Sequence, residues 1–573
     1  MAQQVTVSLQ IGTSKIEHFK SIQIIQSLNT HHTFQIVVPF ESLEEKSQFF
    51  FRGAHEALIG KAATISFKPK YKKVPADFKF LGVVTELSLS NNSETINSYV
   101  IKGHSPTVLM EDGQQRRAWV ASKLGGIFGT VANDYAGNLL KFNIAPNFQN
   151  IIDYKTQYDE TNWAFTTRLA HEYGEWCYYD GQTLNIGKPS TAKQEFVIDG
   201  VQHFDMAISI KPSKFQMHHY NYQVHKSFDA AHSPGSGYGS LGDFAYEKSN
   251  TIFSNPAQLI PLKDVGSPGE LDGHRKTLNL SNGSDLVRFK GHGENPNLTV
   301  GMIVSVIGQR LIETGKFVQE SIGEYRLVGI SHFVDGVGNY ENHFEALPAS
   351  ADRPPHNSFI RQPASMPEVA TVFANEDPKK LGRVKVQFHW PNRLSGKSSW
   401  IRVAMPYTGG AKGSLSIPEI EDQVLISYEA NHVDFPVVVG SLYHKDPSTD
   451  YWSANNYMKV MRTKGGNKLT FQDKPNSQEI YITNSNKKGT NLHISFKGDG
   501  TITLQTAGLI KLEAKDIKMQ AKNNIEMQAG NNVTIKGGTN VTIKAGSNAE
   551  VSASTTDIKG SIVNVKGSMV KIN

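Results

Sequence analysis

The residues that invite a catalytic reading are a histidine–glutamate pair, two glycine-rich turns and a scatter of histidines. His171-Glu172 begins like the helix of a zinc protease, in which a second histidine four residues after the first completes the metal-binding pair. Here Tyr173-Gly174-Glu175 follows, so the second ligand is missing. Gly181 to Lys188 has the glycines and lysine of a phosphate-cradling loop. Its glycine spacing is one residue too long, however, and Pro189 stands where a Ser or Thr is needed. The run Ser233 to Gly239 reads as a loop, because no clear strand and helix bracket it. His31-His32, His218-His219 and His389 share no ligand spacing and read as packed or solvated strand residues. Cys177 is the single cysteine, which excludes an internal disulfide and a paired-cysteine metal site. No catalytic, cofactor-binding or metal-ligating set emerges, and the chain is not expected to be an enzyme.

Nucleic-acid chemistry is the other possibility. Phe388, Trp390 and Trp400, with Arg383, Lys385 and Arg402, offer aromatics and cations of the kind that line a single-strand groove. Alternation on short strands assigns at least some of those aromatics to a core instead. The net charge of +6 over 573 residues is mild and interspersed, which fits a solvated mixed surface. No nucleic-acid partner is expected.

The elements that give the chain its character lie at its end. From Ile494 an "apolar, any, apolar, any, small" pattern recurs about every eight residues: Ile494/Phe496, Ile502/Leu504, Ile510/Leu512, Ile517/Met519, Ile525/Met527, Val533/Ile535, Val541/Ile543 and Ala549/Val551. The step then shortens to seven through Thr556/Ile558, Val563/Val565 and Val570/Ile572. Residues at i and i+2 share one face of a strand, and the small residue with its polar neighbours turns a corner. One such ribbon cannot bury its face or pair its edges alone. Three chains could wind into a triangular β-prism, or one chain could coil on itself. Corners such as Gly537-Gly538-Thr539-Asn540 lack the regular Asp of calcium-binding coils, which favours the trimer. Its core would be Ile517, Met519, Ile525, Met527, Val533, Ile535, Val541, Ile543, Val563 and Val565.

Upstream the chain is mainly β. Strands are expected at Val5 to Ile11, Ser21 to Leu28, Thr33 to Val38, Ala63 to Phe67, Phe80 to Leu89 and Ile96 to His104, with a hairpin turn at Asn91-Asn92-Ser93. Helical spacing covers Val120 to Tyr135. A second helix is capped by Thr161, presents Phe165, Leu169 and Tyr173 on one face, and stops at Gly174 before a strand at Trp176 to Tyr179. Strands return from Val197 to Phe344. Five or so more between Val369 and Tyr443 suggest a small OB-type barrel.

Two stretches carry a family resemblance. Tyr158-Asp159-Glu160-Thr161-Asn162-Trp163, followed by Arg168-Leu169, Glu172, Gly174 and Tyr178-Tyr179, resembles the hub of VgrG proteins, the spikes of type VI secretion systems and of phage-tail-like injection machines. Asp377-Pro378, Leu381 to Val386, His389-Trp390-Pro391, Trp400 to Val403, Ile417-Pro418 and Phe435 to Tyr443 are similar to that family's OB domain. Glu419 to Val424 departs from it, with no Gly before the acidic residue.

The resemblance implies a first hub β-barrel at 1–110, a helical or mixed hub segment at 111–190, a second barrel at 191–349, a linker at 350–366, an OB-fold at 367–445, a connector at 446–490 and an intertwined trimeric β-helix needle at 491–573. The connector is too short for the lysozyme domain of some phage relatives. The implied partners are two further copies in a homotrimer, a hexameric Hcp-like inner-tube protein, baseplate proteins, effector cargo and, transiently, a target membrane. Because the chain ends after its last repeat, Val570, Lys571, Ile572 and Asn573 are expected to seat a PAAR-type tip protein. With no signal peptide at the N-terminus, cytoplasmic synthesis and expulsion through the apparatus are expected. Other readings are a free extracellular particle, a phage tail, or an OB-centred nucleic-acid binder with a solenoid tail.

Overall fold

A computed structural model describes residues 3–572 apart from 44–52, 71–76, 92–96, 138, 199–202, 262, 314–315, 392–395 and 446–448. The Asn92-Ser93 part of the expected hairpin turn and Asn573 lie outside the described residues. The chain forms two units, Met1–Ser448 and Thr449–Asn573.

In the first unit the early strands follow the alternation that predicts them: Ser21–Ser27 and Thr33–Pro39 bury every second residue. Their closure comes from far away in sequence. Lys316–Asp335 and Asn339–Pro348 form a long hairpin. Its first strand pairs with Ser21–Ser27 and its second with Gln3–Ile11. The strands run in the order Lys316–Asp335, Ser21–Ser27, Thr33–Pro39, Ser98–His104, Phe78–Ser90, Ala62–Pro69, Gln3–Ile11 and Asn339–Pro348, and the last returns to the first. That is a closed eight-stranded ring. The same hairpin extends into a second arrangement with Lys193–Ile198, His203–Ile208, Val287–Gly293 and Ile303–Glu313. A boundary between two self-contained barrels therefore does not exist; they share two strands. Val334 and Tyr340 enter one apolar core while Leu327 and Phe344 enter the other.

The capped helix spans Asn162–Glu172, with Thr161 accepting from the Ala164 N–H at 3.1 Å and Gly174 in the left-handed conformation at φ +64°. The preceding helix is shorter than its apolar spacing suggests, Leu124–Asn133, because Gln115–Lys123 pairs as a strand with Ile151–Glu160. Two helices, Gly239–Ile252 and Pro268–Gly283, stand where strands or loops were expected. Their buried faces carry one large apolar or aromatic side chain each, Tyr246 and Leu271, among small and polar residues such as Ala245, Ser249, Ser281 and Gly283, so little apolar periodicity marks them. A start signal is nevertheless present in the second. Ser267 accepts from the Glu270 N–H, Glu270 reaches back to the Gly266 N–H, and Pro268 occupies the first turn.

The OB region is a five-stranded sheet in the order Lys385–Phe388, Glu368–Ala374, Gln423–Tyr428, Pro436–Leu442, Arg402–Val403. The second unit opens with an antiparallel meander of five strands, from Met458–Arg462 to Thr501–Gln505. The first two octads belong to it, with Ile494 opposite Ile502 and Leu492 opposite Leu504.

Candidate functional site

Beyond Gln505 none of the described residues belongs to a strand. The octads run on with their apolar side chains in solvent. The ten residues from Ile517 to Val565 assigned to a needle core are 50–80% exposed. Val570 is 49% and Ile572 90% exposed, and Lys571 beside them is exposed too. Isolated exposed apolar residues are ordinary, but an uninterrupted file of them marks an interaction surface. A chain coiled on itself would have paired its octads and hidden these side chains. The single chain does neither.

The first unit has its own specialised point, where the hub segment meets the OB sheet, and the motif Tyr158 to Trp163 builds it residue by residue. Tyr158 leaves the hub and joins the OB core, edge-on to Trp390 and Tyr428 at 6.2 and 6.0 Å. Asp159 takes a positive φ at a strand irregularity and holds Arg116 in a two-pronged pair at 2.6 and 2.7 Å. Glu160 grips Arg168 in the same way, at 2.6 and 2.7 Å. Thr161 caps the helix, Asn162 donates to the Tyr135 hydroxyl at 2.9 Å, and Trp163 lies against His31 at 4.4 Å.

Beneath that motif lies a buried ionic cluster. Lys155 donates to Glu172 at 2.6 Å and to Asp434 of the OB region at 2.7 Å, while Asp434 also accepts from the Thr156 N–H at 2.8 Å. All three side chains are buried. Burial works against the Lys155 ammonium, but Asp434 and Glu172 outweigh it and hold the charge on. Glu172 is likewise pushed up by burial and brought below the usual glutamate range by Lys155, then Lys263 and Arg168. Lys263 donates to the Glu172 carbonyl oxygen at 2.8 Å, and burial pulls its own pKa down to about 8. A cavity of about 660 Å³ opens beside it, bordered by Tyr173, His274, Trp400 and Arg402. The arrangement is a lock between two structural parts.

The chemistry-bearing residues of the sequence are placed elsewhere. His171 packs edge-on to His356 at 4.6 Å, and burial lowers its pKa to about 4. Gly181 turns a tight hairpin in which Asp180 accepts from the Gln182 and Thr183 N–H groups. Ser233 to Gly239 is in fact bracketed by a strand, Lys226–Ala230, and a helix. Asp243 fills its N–H groups, accepting from Gly237 and Tyr238, so a carboxylate stands where a phosphate would bind. His32 is buried between Phe80 and Tyr179, and burial lowers its pKa to about 3. His218 pairs with Asp229, His219 faces Asp264, and His389 bonds Thr371. Cys177 is buried. Phe388 and Trp390 are core residues, Arg383 is held by Asp377 at 2.7 and 3.0 Å, Lys385 covers Trp400, and Arg402 pairs with Glu429.

Residues 52–249 match the phage tail baseplate hub family and residues 368–443 the type VI secretion system/phage-baseplate injector OB domain. The chain is 26% identical over 397 residues to the type VI secretion system spike protein VgrG5 of Pseudomonas aeruginosa, covering 60% of this chain and 47% of that protein. It is 23% identical over 450 residues to VgrG1b of the same organism, covering 70% and 58% respectively. The chain is similar to VgrG spike proteins in both its hub and its OB region. Its fold superposes on a chain of the Francisella PdpA-VgrG complex in the half-lidded form, with a TM-score of 0.55 and 8% identity over 88% of each chain, a likeness of fold alone. The chain spans about half the length of the curated relatives it matches. No helix of the described residues is long and apolar enough to cross a membrane.

Proposed function

We propose that the chain is the structural hub and spike of a type VI injection machine, acting mechanically and without catalysis. Three copies join through their octads into a β-prism needle. The hub barrels of the trimer continue a hexameric Hcp-like inner tube and sit among baseplate proteins. Val570, Lys571, Ile572 and Asn573 seat a PAAR-type tip. The assembly is expelled on sheath contraction, crossing the target membrane with tip and effector cargo. The segmentation into hub, OB collar, connector and needle follows that division of labour.

One observation carries this reading: a continuous file of apolar octads left exposed and unpaired in the single chain. Each Ile, Val or Met hidden between chains contributes on the order of 1.5–3 kcal/mol, and backbone ladders between chains supply the pairing that the ribbon lacks. Lys, Thr and Asn on the alternate positions, such as Lys536 and Thr542, stay in water.

Replacing Ile535 with Asp tests it. In a threefold needle the substitution brings three carboxylates close to the axis, where charges without partners are strongly disfavoured. The full-length variant should lose trimer in analytical ultracentrifugation while Ile535→Val retains it. An Asp variant as trimeric and as heat-resistant as the parent would refute the shared needle.

A further inference from the structure

We infer that the hub carries a divalent transition-metal site formed by His292, Glu341 and His343. Strand register creates it. His292 on Val287–Gly293 lies directly opposite His343 on Asn339–Pro348, with ring centroids 4.3 Å apart and planes 7° from parallel, so one ring turns about its side-chain bonds to bring both in-plane nitrogen lone pairs onto one ion. Glu341, two residues before His343, projects to the same face. Its Oε2 is 3.5 Å from Nε2 of His292. That is long for a charge-assisted hydrogen bond of about 2.7–2.9 Å. It matches the separation of about 3.3 Å between two ligand atoms that each sit about 2.0–2.1 Å from one tetrahedral zinc ion. One potential ligand atom from each of the three residues lies within 4.8 Å of the others, the one such group among the described residues.

The row continues. His203 on the neighbouring strand lies opposite His292, with ring centroids 6.3 Å apart. A depression of about 460 Å³ covers the row and exposes it to solvent, leaving room for water in the remaining coordination positions. Two imidazoles and one carboxylate suit Zn²⁺, Ni²⁺, Co²⁺ or Fe²⁺, whereas Ca²⁺ and Mg²⁺ favour oxygen-only sets. The ligands span adjacent strands, so a bound ion ties Val287–Gly293 to the hairpin shared by both barrels. Zn²⁺ is the ion this donor set fits best.

The test is calorimetric titration of Zn²⁺ into the tag-free, metal-stripped full-length chain, with Co²⁺ visible absorption as a second readout. One ion per chain is expected, with affinity lowered at least tenfold by His292→Ala or His343→Ala and less by Glu341→Gln. His18→Ala, at an exposed histidine elsewhere, should leave it unchanged. Circular dichroism of the metal-free variants checks folding, and Glu341→Gln carries the comparison if a histidine variant misfolds. Absence of binding up to about a hundred micromolar Zn²⁺, or binding indifferent to the histidine substitutions and to Glu341→Gln, would overturn the assignment.

Discussion

Asp434 satisfies two donors from the hub, the Lys155 ammonium and the Thr156 N–H, from a position in the OB region. Removing one member of a buried ion pair strands the other, at a cost of about 3–5 kcal/mol. Asp434→Ala should therefore lower the thermal midpoint of the first unit sharply in calorimetry, and a shift within error of the parent would show that the lock bears no load. Glu172 makes the same cluster sensitive to acid. Its pKa is held below the unfolded value of about 4.3. In the window between the two values the unfolded chain binds more protons, so stability rises with pH and is lost as pH falls through the lower folded value. Glu172→Gln should flatten the decline of melting temperature below about pH 4.3; parallel curves for the two proteins would contradict this. Glu421 takes the left-handed conformation at φ +77° in the turn before Gln423–Tyr428. Relief of a left-handed side chain is worth about 1–2 kcal/mol, against about 0.5–1 kcal/mol for the added freedom of Gly. Glu421→Gly is thus expected to stabilise by about 0.5–1 kcal/mol in chemical denaturation.

At the scale of elements, what was legible in the sequence was what repeats or is capped locally. Alternation gave the strands of the first ring, and Thr161 with Gly174 marked both ends of one helix to the residue. The octads announced themselves by period. The helices Gly239–Ile252 and Pro268–Gly283 were missed because small and polar residues make up most of their buried faces, although Ser267, Pro268 and Glu270 spelled a helix start. The shared hairpin was illegible for a different reason. Pairing of Ser21–Ser27 with Lys316–Asp335 spans some three hundred residues and leaves no local trace. His292 and His343 are likewise distant in sequence, and only the register across two strands brings their rings together. The ionic lock was half visible: Arg168 and Glu172 stood out in the motif, whereas Lys155 and Asp434 carried no spacing that linked them.

At the scale of the whole molecule, the first unit completes its eight-stranded ring and OB sheet within one chain, while the octads do not. An exposed apolar ribbon of this length is stable only when neighbours cover it, and cyclic symmetry supplies identical neighbours at no cost in sequence. A needle built this way fixes the stoichiometry of the protein. Light scattering of the purified full-length protein measures it directly. Three chains of 63.3 kDa give about 190 kDa, and that mass is expected across dilution to low micromolar concentration. A stable 63.3 kDa monomer would contradict it, because the octads would then have to close within one chain.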